Sequence, residues 1–475
     1  MDEEFERRYQ AVLSRDARFD GSFVTAVTST GVFCRPVCPS RTPRRENVRF
    51  YATAQAARSA GFRACKRCVP EPAVAIGGAG GEPALALIAD GSADGGVGAV
   101  ARRLHIGERQ LHRRVARAVG VSPLRLAQSR RVQTARALLE TTVLPITEVA
   151  FSSGFRSVRQ FNDTLRSEFH CAPSAIRSAG TAPGPGGWFH VRLRVRPPHD
   201  TARLLSFLGT RAIVGIETWD GSIYRRVLRT RGGSAVIELQ GGGEAVQLRA
   251  RVDNVGDLGE VVQRSRHIID ADADPGVIAE RLGVDPLLGP SVAAAPGLRL
   301  PGAADAFEIM VRAVLGQQVT VAGARTLAGR IVARHGTALA EPHGGITHVF
   351  PDAQTLDGAE LSGLGLTGRR IDSLHALAAA VTEGKLDVGG PAAVIDAGLQ
   401  RLPGFGPWTR SYIAMRALGD PDAFPAGDLG LRRALERAGV HASVRALEER
   451  SQAWRPWRAY AALHLWNSLT LEANP

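Results

Sequence analysis

Four cysteines constrain this chain more than any other feature. Cys34 and Cys38 form one close pair, Cys65 and Cys68 another, and the only other cysteine in the 475 residues is Cys171. Two close pairs separated by a longer stretch suit a tetrahedral zinc site in which each pair supplies two thiolates. A disulfide framework is the competing reading and fits poorly. Such frameworks belong to short exported chains, whereas this chain is long, opens on an acidic, polar stretch and has an odd number of cysteines. One Zn2+ held by Cys34, Cys38, Cys65 and Cys68 is therefore the expected cofactor. No apolar run is long enough to span a bilayer, so no membrane partner is expected and the cytoplasm is the expected compartment.

The length implies several cores rather than one. Charge is unevenly spread: residues 1–180 hold 27 basic and 16 acidic side chains and so carry +11 of the formal net charge of +13. A basic front part points to a polyanion, with nucleic acid foremost. Only Lys66 and Lys385 are lysines, so arginine supplies nearly all the positive charge and one arginine in a motif says little. Residues 73–81 and 179–187 are rich in Gly, Ala or Pro without hydrophobic periodicity, as connectors are. They separate a cysteine module, a middle module and a long C-terminal part.

The middle module is helical. Val100 and Leu104, then Leu111, Val115 and Val119, fall at helical spacing on either side of a tight turn. The pattern repeats: residues 146–151 follow Pro145, the chain turns at Gly154, and residues 158–169 continue. Two helix–turn–helix units in one small module are a DNA-reading arrangement. The second helices carry Arg109, Gln110, Arg113 and Arg114 in one unit and Arg156, Arg159, Gln160 and Asn162 in the other. Arginine and glutamine or asparagine can make paired contacts with guanine and adenine edges. An ordinary helical bundle with solvated arginines is the plainer alternative.

Residues 188–300 begin with alternating segments at 188–195, 235–239 and 246–252, the last two around a glycine turn at 241–243. Residues 303–475 read as successive amphipathic helices. Within them Leu402, Pro403, Gly404, Phe405 and Gly406 spell a helix–hairpin–helix turn, in which glycines permit a sharp bend and close approach of a ligand. Amides at the start of the next helix, from Trp408 on, can then hold a DNA phosphate irrespective of sequence. Asp428 follows in PAGD; as a plain structural residue it would cap the helix after it.

That pairing of hairpin and aspartate resembles the helix–hairpin–helix DNA glycosylases, which flip a damaged base and use one aspartate to promote cleavage of the glycosidic bond. The resemblance implies that Asp428 stabilises an oxocarbenium-like sugar and helps orient water. Members that also cut the strand place a lysine after the hairpin; here Trp408 stands there, which implies a monofunctional, hydrolytic enzyme. Across residues 188–475, including LPGAADAFEIMVRAVLGQQVT and RPWRAYAALHLW, the likeness is to AlkA-type 3-methyladenine glycosylases. It implies an alkylbase pocket lined by Trp408, Tyr412 and Trp466, whose electron-rich faces would attract a cationic N-alkylpurine. The residue that fills the emptied stack is leucine in the best-known member; the matching residue here is Gln318, after Gln317, and a polar wedge should unstack DNA less strongly.

TSTGVFCRP at 28–36, RENVRFYA at 45–52 and GFRACKRC at 61–68 resemble the N-terminal domain of Ada proteins, and the middle module resembles the AraC-type region that follows it there. The resemblance implies that Cys34 accepts a methyl group from a DNA methylphosphotriester, that Cys38, Cys65 and Cys68 complete the zinc site, and that Thr30 and Arg41 contact the DNA backbone. No Pro-Cys-His-Arg motif of an O6-alkylguanine transferase occurs. Cys171 is expected to be a small structural residue.

The expected fold is a multidomain α+β chain. It comprises a small zinc-bound α/β domain at 1–72, an AraC-type double helix–turn–helix at 82–178, a TBP-like α+β domain at 188–300 and an all-α helix–hairpin–helix glycosylase domain at 301–475. The expected function is DNA alkylation repair and its regulation. The expected partners are double-stranded DNA, both alkylated and at specific promoter sites, and RNA polymerase. The chain should act as a cytoplasmic, nucleoid-associated monomer. The competing function is a transcription regulator whose C-terminal part binds DNA without excising bases. Arg109, Arg113, Arg159, Gln318, Gly404 and Gly406 are the expected DNA contacts beyond the cysteine module.

Overall fold

The computed structural model describes residues 3–15, 19, 23–36, 38, 40–51, 57, 60–65, 68, 84, 88, 96–104, 106–119, 122–141, 144–169, 172–176, 187–242, 245–389, 392–440 and 443–471. Cys171 and the connectors at 73–81 and 179–186 lie outside the described residues. The chain divides into two compact units, one of residues 1–182 with 389–394, the other of residues 183–388 with 395–475.

In the first unit the helix Glu3–Ser14 precedes β1 (Val24–Val27), β2 (Val32–Cys34), β3 (Val48–Tyr51) and β4 (Arg63–Ala64). Their order is β3-β1-β2-β4, antiparallel except for the parallel β2–β4 pair. Valine and aromatic residues suit such a pleated, half-buried surface, and Val24, Ala26 and Phe33 bury themselves against Tyr51 and Phe62. Gly31, at φ 64°, turns β1 into β2, where a side chain would strain the backbone. β2 ends on Cys34 and β4 runs into Cys65, so one short parallel pairing brings the two cysteine pairs together. The Cys65 N–H donates to the Phe33 carbonyl at 2.9 Å.

The same unit holds both helix–turn–helix pairs: Val97–Arg103 with Glu108–Val119, and Ile146–Ser152 with Val158–Phe169. Their apolar faces are buried through Val100, Leu111 and Val115 in the first and Val149, Phe161 and Leu165 in the second. Gly154, at φ 84°, makes the second turn. Between the pairs runs a 19-residue helix, Pro123–Thr141, that the apolar pattern did not announce. Its start was readable: Ser122 Oγ accepts the Arg125 N–H at 3.3 Å, and proline in the first turn after a capping serine is a helix-start signal.

In the second unit β5 (Phe189–Arg194), β6 (Glu217–Trp219), β7 (Ile223–Thr230), β8 (Gly233–Gly242) and β9 (Ala245–Val252) form an antiparallel sheet in the order β5-β9-β8-β7-β6. The helices Thr201–Gly209 and Leu258–Ile268 pack on it. Among the described residues the helical part that follows is interrupted once, by the hairpin of β10 (Thr337–His343) and β11 (Ile346–Val349). The all-helical expectation for 301–475 is corrected on this point. Gly344 and Gly345 both take positive φ at the turn, and Ile346 is fully buried and bridges to Gly215 beside the sheet.

A buried ion cluster ties sheet to helices. Arg226 on β7 pairs with Glu217 at 3.0 Å and Glu308 at 2.7 Å, and Arg312 pairs with the same two carboxylates at 2.9 and 3.0 Å. Glu308 and Arg312 lie one turn apart on Ala306–Leu315. Tyr224 donates its hydroxyl to Glu217 at 2.5 Å and Ile213 its amide at 2.9 Å. Burial would by itself raise the Glu217 carboxyl, but Arg312 and Arg226 outweigh it and hold the group below the usual carboxylate range. Removing one cation leaves buried negative charge uncompensated, so Arg226→Met should lower unfolding free energy by about 3–5 kcal/mol. Urea denaturation followed by tryptophan fluorescence measures this, because all six tryptophans lie in the second unit. A depressed carboxyl contributes stability above its unfolded value, about 4.3, and loses it as pH falls through its folded value. The gap between wild type and variant should therefore narrow in acid; a constant gap would show that the charges contribute nothing.

Candidate functional site

The sulfurs of Cys34, Cys38, Cys65 and Cys68 all lie within 4.8 Å of one another. Zinc–sulfur bonds of about 2.3 Å in a tetrahedron separate sulfurs by about 3.8 Å, so the cluster has the right size. Cys38 and Cys65 are buried, while Cys34 and Cys68 are half-exposed. The Arg35 amide points to the Cys68 sulfur at 3.4 Å. Hydrogen bonds from Cys34 and Cys68 hold Cys38 well below its ordinary value, and the hydrogen bonds of Cys34 to Cys38 and Cys68, with burial, push the Cys34 thiol up. Thiols this close cannot all ionise unaided; a divalent cation permits it. The donor set therefore fits Zn2+. Thr30 is exposed in the β1–β2 turn, and Arg41 is exposed shortly after the first cysteine pair.

On the helix–turn–helix pairs, Arg109, Gln110 and Arg113 are exposed along one helix, and Arg156, Arg159 and Gln160 are exposed at the start of the other. The Arg159 side chain is 92% exposed, with Asp163 at 3.9 Å. Asn162 is half-buried.

The second unit contains a cavity of about 1000 Å³, lined among others by Phe207, Arg211, Trp408, Tyr412, Arg416, Asp428 and Trp466. Asp428 caps Leu429–Arg437, its Oδ1 accepting the Leu431 N–H at 3.1 Å. The same oxygen accepts the Trp466 indole N–H at 2.8 Å, and Oδ2 accepts that of Trp408 at 2.9 Å. Three of the roughly four lone-pair sites of the carboxylate are thus filled, all by neutral donors. They fix its orientation and leave its charge intact.

Trp408 stacks on Tyr412, centroids 5.4 Å apart and planes 11° from parallel. Arg416 donates to the Tyr412 hydroxyl at 2.8 Å, and its guanidinium lies 5.6 Å from the Tyr412 centroid and 5.2 Å from that of Phe207. Arg211 lies 3.7 Å over Phe207. Burial, reinforced by Arg416 and Arg312, pushes the Arg211 guanidinium down to about 10. Aromatic faces here already hold cations.

The two hairpin glycines divide their work. Gly404 has φ 86°, and a Cβ on it would lie 2.4 Å from Ser373 Oγ. Gly406 is the N-cap of Pro407–Arg416 with ordinary extended backbone, and a Cβ there would meet nothing within 4 Å. Pro407 has no N–H and the Arg410 N–H is spent on the Gly406 carbonyl at 3.1 Å, which leaves the Trp408 and Thr409 amides at the open helix start. Gln318 is exposed at φ 54° in the segment joining Ala306–Leu315 to Val321–His335.

Four family models match the chain: the metal binding domain of Ada at residues 7–71, a helix-turn-helix domain at 100–179, the AlkA N-terminal domain at 190–305 and the HhH-GPD superfamily of base excision DNA repair proteins at 311–459. A probable bifunctional transcriptional activator/DNA repair enzyme AlkA of Mycobacterium tuberculosis is 44% identical, with all of this chain and 98% of the relative covered. The chain belongs to this AlkA/Ada bifunctional family. DNA-3-methyladenine glycosylase 2 of Escherichia coli is 36% identical over 58% of this chain and 95% of its own length. The 3-methyladenine DNA-glycosylase from Archaeoglobus fulgidus shares the fold, with a TM-score of 0.50 at 20% identity over 58% of this chain and 97% of its own.

Within this family assignment, the zinc-binding domain, the helix–turn–helix domain and the glycosylase fold each contain the residues singled out from sequence. Several others went unread. Phe207 and Arg211 come from the sheet-side part of the unit, far from the hairpin motif. Gly430 is subtler: a Cβ there would lie 2.9 Å from Asp428 Oδ1 and 3.1 Å from Trp466 Cδ1. Its one signal is position, two residues after the capping aspartate. The protein should contain one zinc per chain, and Cys65→Ala combined with Cys68→Ala should release it. Elemental analysis showing undiminished zinc in that variant would refute the four-cysteine site.

Proposed function

We propose that the chain repairs alkylated DNA by two separate chemistries and switches on the response to such damage. The observation that carries the excision half is the Asp428 carboxyl group, held between two indole N–H groups at the wall of an aromatic cavity. A flipped N-alkylpurine such as 3-methyladenine or 7-methylguanine enters that cavity as a cation, which ring faces attract. The C1′–N bond breaks, its electron pair passes to the base and neutralises it, and the Asp428 carboxylate stabilises the cationic sugar. Water adds at C1′ and gives up a proton, leaving free base and an abasic strand. Among the described residues no lysine lines the cavity, which supports hydrolysis without a covalent amine intermediate. The helix start after Gly406 and the exposed Gln318 grip phosphate and fill the stack.

In the other chemistry the half-exposed Cys34 sulfur attacks the methyl carbon of a methylphosphotriester. A sulfur–carbon bond forms, the carbon–oxygen bond breaks, and the phosphodiester leaves as an anion. Zinc supplies the ionised state of the thiolates at neutral pH. With Zn2+ held by Cys34, Cys38, Cys65 and Cys68, four thiolates around a divalent ion would leave about two negative charges that would repel DNA, and methylation of Cys34 would remove one and tighten binding. Thr30 and Arg41 contact the backbone, Arg109, Arg113 and Arg159 read promoter DNA, and RNA polymerase is the partner recruited. The division of labour follows residues 1–72, 82–178, 188–300 and 301–475, in a chain that acts as a monomer.

Two measurements test this. Methylated duplex DNA should release 3-methyladenine and 7-methylguanine without strand scission. Asp428→Asn should slow release by about a hundredfold or more while DNA binding persists. Full activity in that variant, or a covalent adduct trapped by borohydride, would refute the mechanism. Base release also separates this reading from a regulator that only binds DNA. Incubation with methylphosphotriester DNA should add a single methyl mass to Cys34, and peptide mass spectrometry placing it on Cys38 would overturn the assignment.

A further inference from the structure

We propose that Tyr9 and Arg15, on the first helix and just past its end, are positioning residues for methyl transfer. They hold the segment that carries Arg41, so that its guanidinium meets a DNA phosphate at a fixed place relative to the Cys34 sulfur. The inference rests on the methyl-acceptor reading of the cysteine site and deepens it, because it assigns part of substrate placement to a helix outside the metal site.

Between Cys38 and the short 3-10 turn Arg45–Asn47, residues 40–44 take no regular structure. Side chains from the first helix fix this segment from one side. Arg15 donates to the Ser40 carbonyl at 3.1 Å, and Tyr9 donates its hydroxyl to the Pro43 carbonyl at 3.0 Å. Glu6, on the same helix face as Tyr9, pairs with Arg45 at 2.6 Å, and the Arg45 guanidinium lies 5.5 Å from the Phe5 ring centroid. The helix is itself anchored: Ala11 and Val12 are buried with Phe23, Phe50 packs against them, and the Phe5 and Phe50 centroids are 5.1 Å apart. Arg15 leaves the helix at φ 48°, in the left-handed region that non-glycine residues enter only when surroundings dictate it.

Ser40 is the joint between this clamp and the metal site. Its carbonyl takes Arg15, while its hydroxyl and amide hydrogen-bond to the Cys38 sulfur. Arg41 is the next residue and is exposed. Its backbone is thus referred to the cysteine cluster on one side and, through Pro43 and Arg45, to the helix on the other. Burial, with Glu46 and Glu6, raises the Tyr9 phenol, so it stays a donor at neutral pH. Attack on a methyl carbon requires sulfur, carbon and departing oxygen to lie in line, and misplacement by about 1 Å is costly. An arginine on an unpinned loop would lose conformational freedom at every encounter with phosphate; a pinned one has already lost it.

The test uses the full-length, zinc-loaded protein and two methyl donors. Methylphosphotriester DNA must be gripped to react. Iodomethane needs no grip: the Cys34 sulfur takes its methyl group and iodide leaves. Tyr9→Phe and Arg15→Met each remove one hydrogen bond and should slow transfer from the DNA about three- to tenfold. Zinc content and iodomethane labelling of Cys34 should not change in either variant. Arg41→Met should slow transfer from the DNA at least as much, and adding Tyr9→Phe to it should slow transfer no further. Unchanged transfer in any of the three single variants would overturn the proposal. So would a parallel loss of iodomethane labelling or zinc in Tyr9→Phe or Arg15→Met, or an undiminished effect of Tyr9→Phe in the Arg41→Met background. Wild-type protein that iodomethane labels and methylphosphotriester DNA does not would instead sink the methyl-acceptor reading beneath it.

Discussion

The second unit depends on the buried cluster of Glu217, Arg226, Glu308 and Arg312. Two guanidiniums and two carboxylates alternate, so each charge meets two of opposite sign, and desolvation is offset only because none is left single. Arg226 and Glu217 come from the sheet, Glu308 and Arg312 from the helix that leads toward Gln317 and Gln318. Arg312 also donates to the Arg211 carbonyl at 2.7 Å, and Arg211 lies in the cavity wall. The electrostatics that join sheet to helices therefore also place part of the cavity lining.

What was legible in the sequence was local. Cys34, Cys38, Cys65 and Cys68 announce themselves by spacing, the helix–turn–helix pairs by period and turn, and the hairpin by Gly404 and Gly406 followed by Asp428. Each signal spans a turn or two of chain. Zinc and the fold class followed from these signals and from the resemblance they carried. Residues that depend on chain segments meeting at a distance were not legible. Glu217 and Arg226 look like solvated strand residues until Glu308 and Arg312 are opposite them. Phe207 and Arg211 carry no motif. The β10–β11 hairpin was hidden because helical periodicity on both sides masked a short segment whose clue was Gly344 and Gly345.

The cavity combines two opposed electrostatic demands. Its rings attract positive charge, yet Arg211 and Arg416 already sit against Phe207 and Tyr412. Asp428 is oriented by indoles rather than by these arginines. A guanidinium paired with Asp428 would have cancelled its field at short range, whereas an indole N–H holds the oxygen in place and leaves the anion's field directed into the cavity.

Gly430 shows how such a site can depend on what is missing. Its hydrogen occupies the space beside Asp428 Oδ1 and the Trp466 ring that any larger group would contest. The placement of the carboxylate is thus encoded partly by an absent side chain. Truncation scanning, which probes residues by removing atoms, is blind to such a position. The damaging change at Gly430 is an addition, and the smallest one available, a methyl group, already presses on both the acid and the indole that orients it.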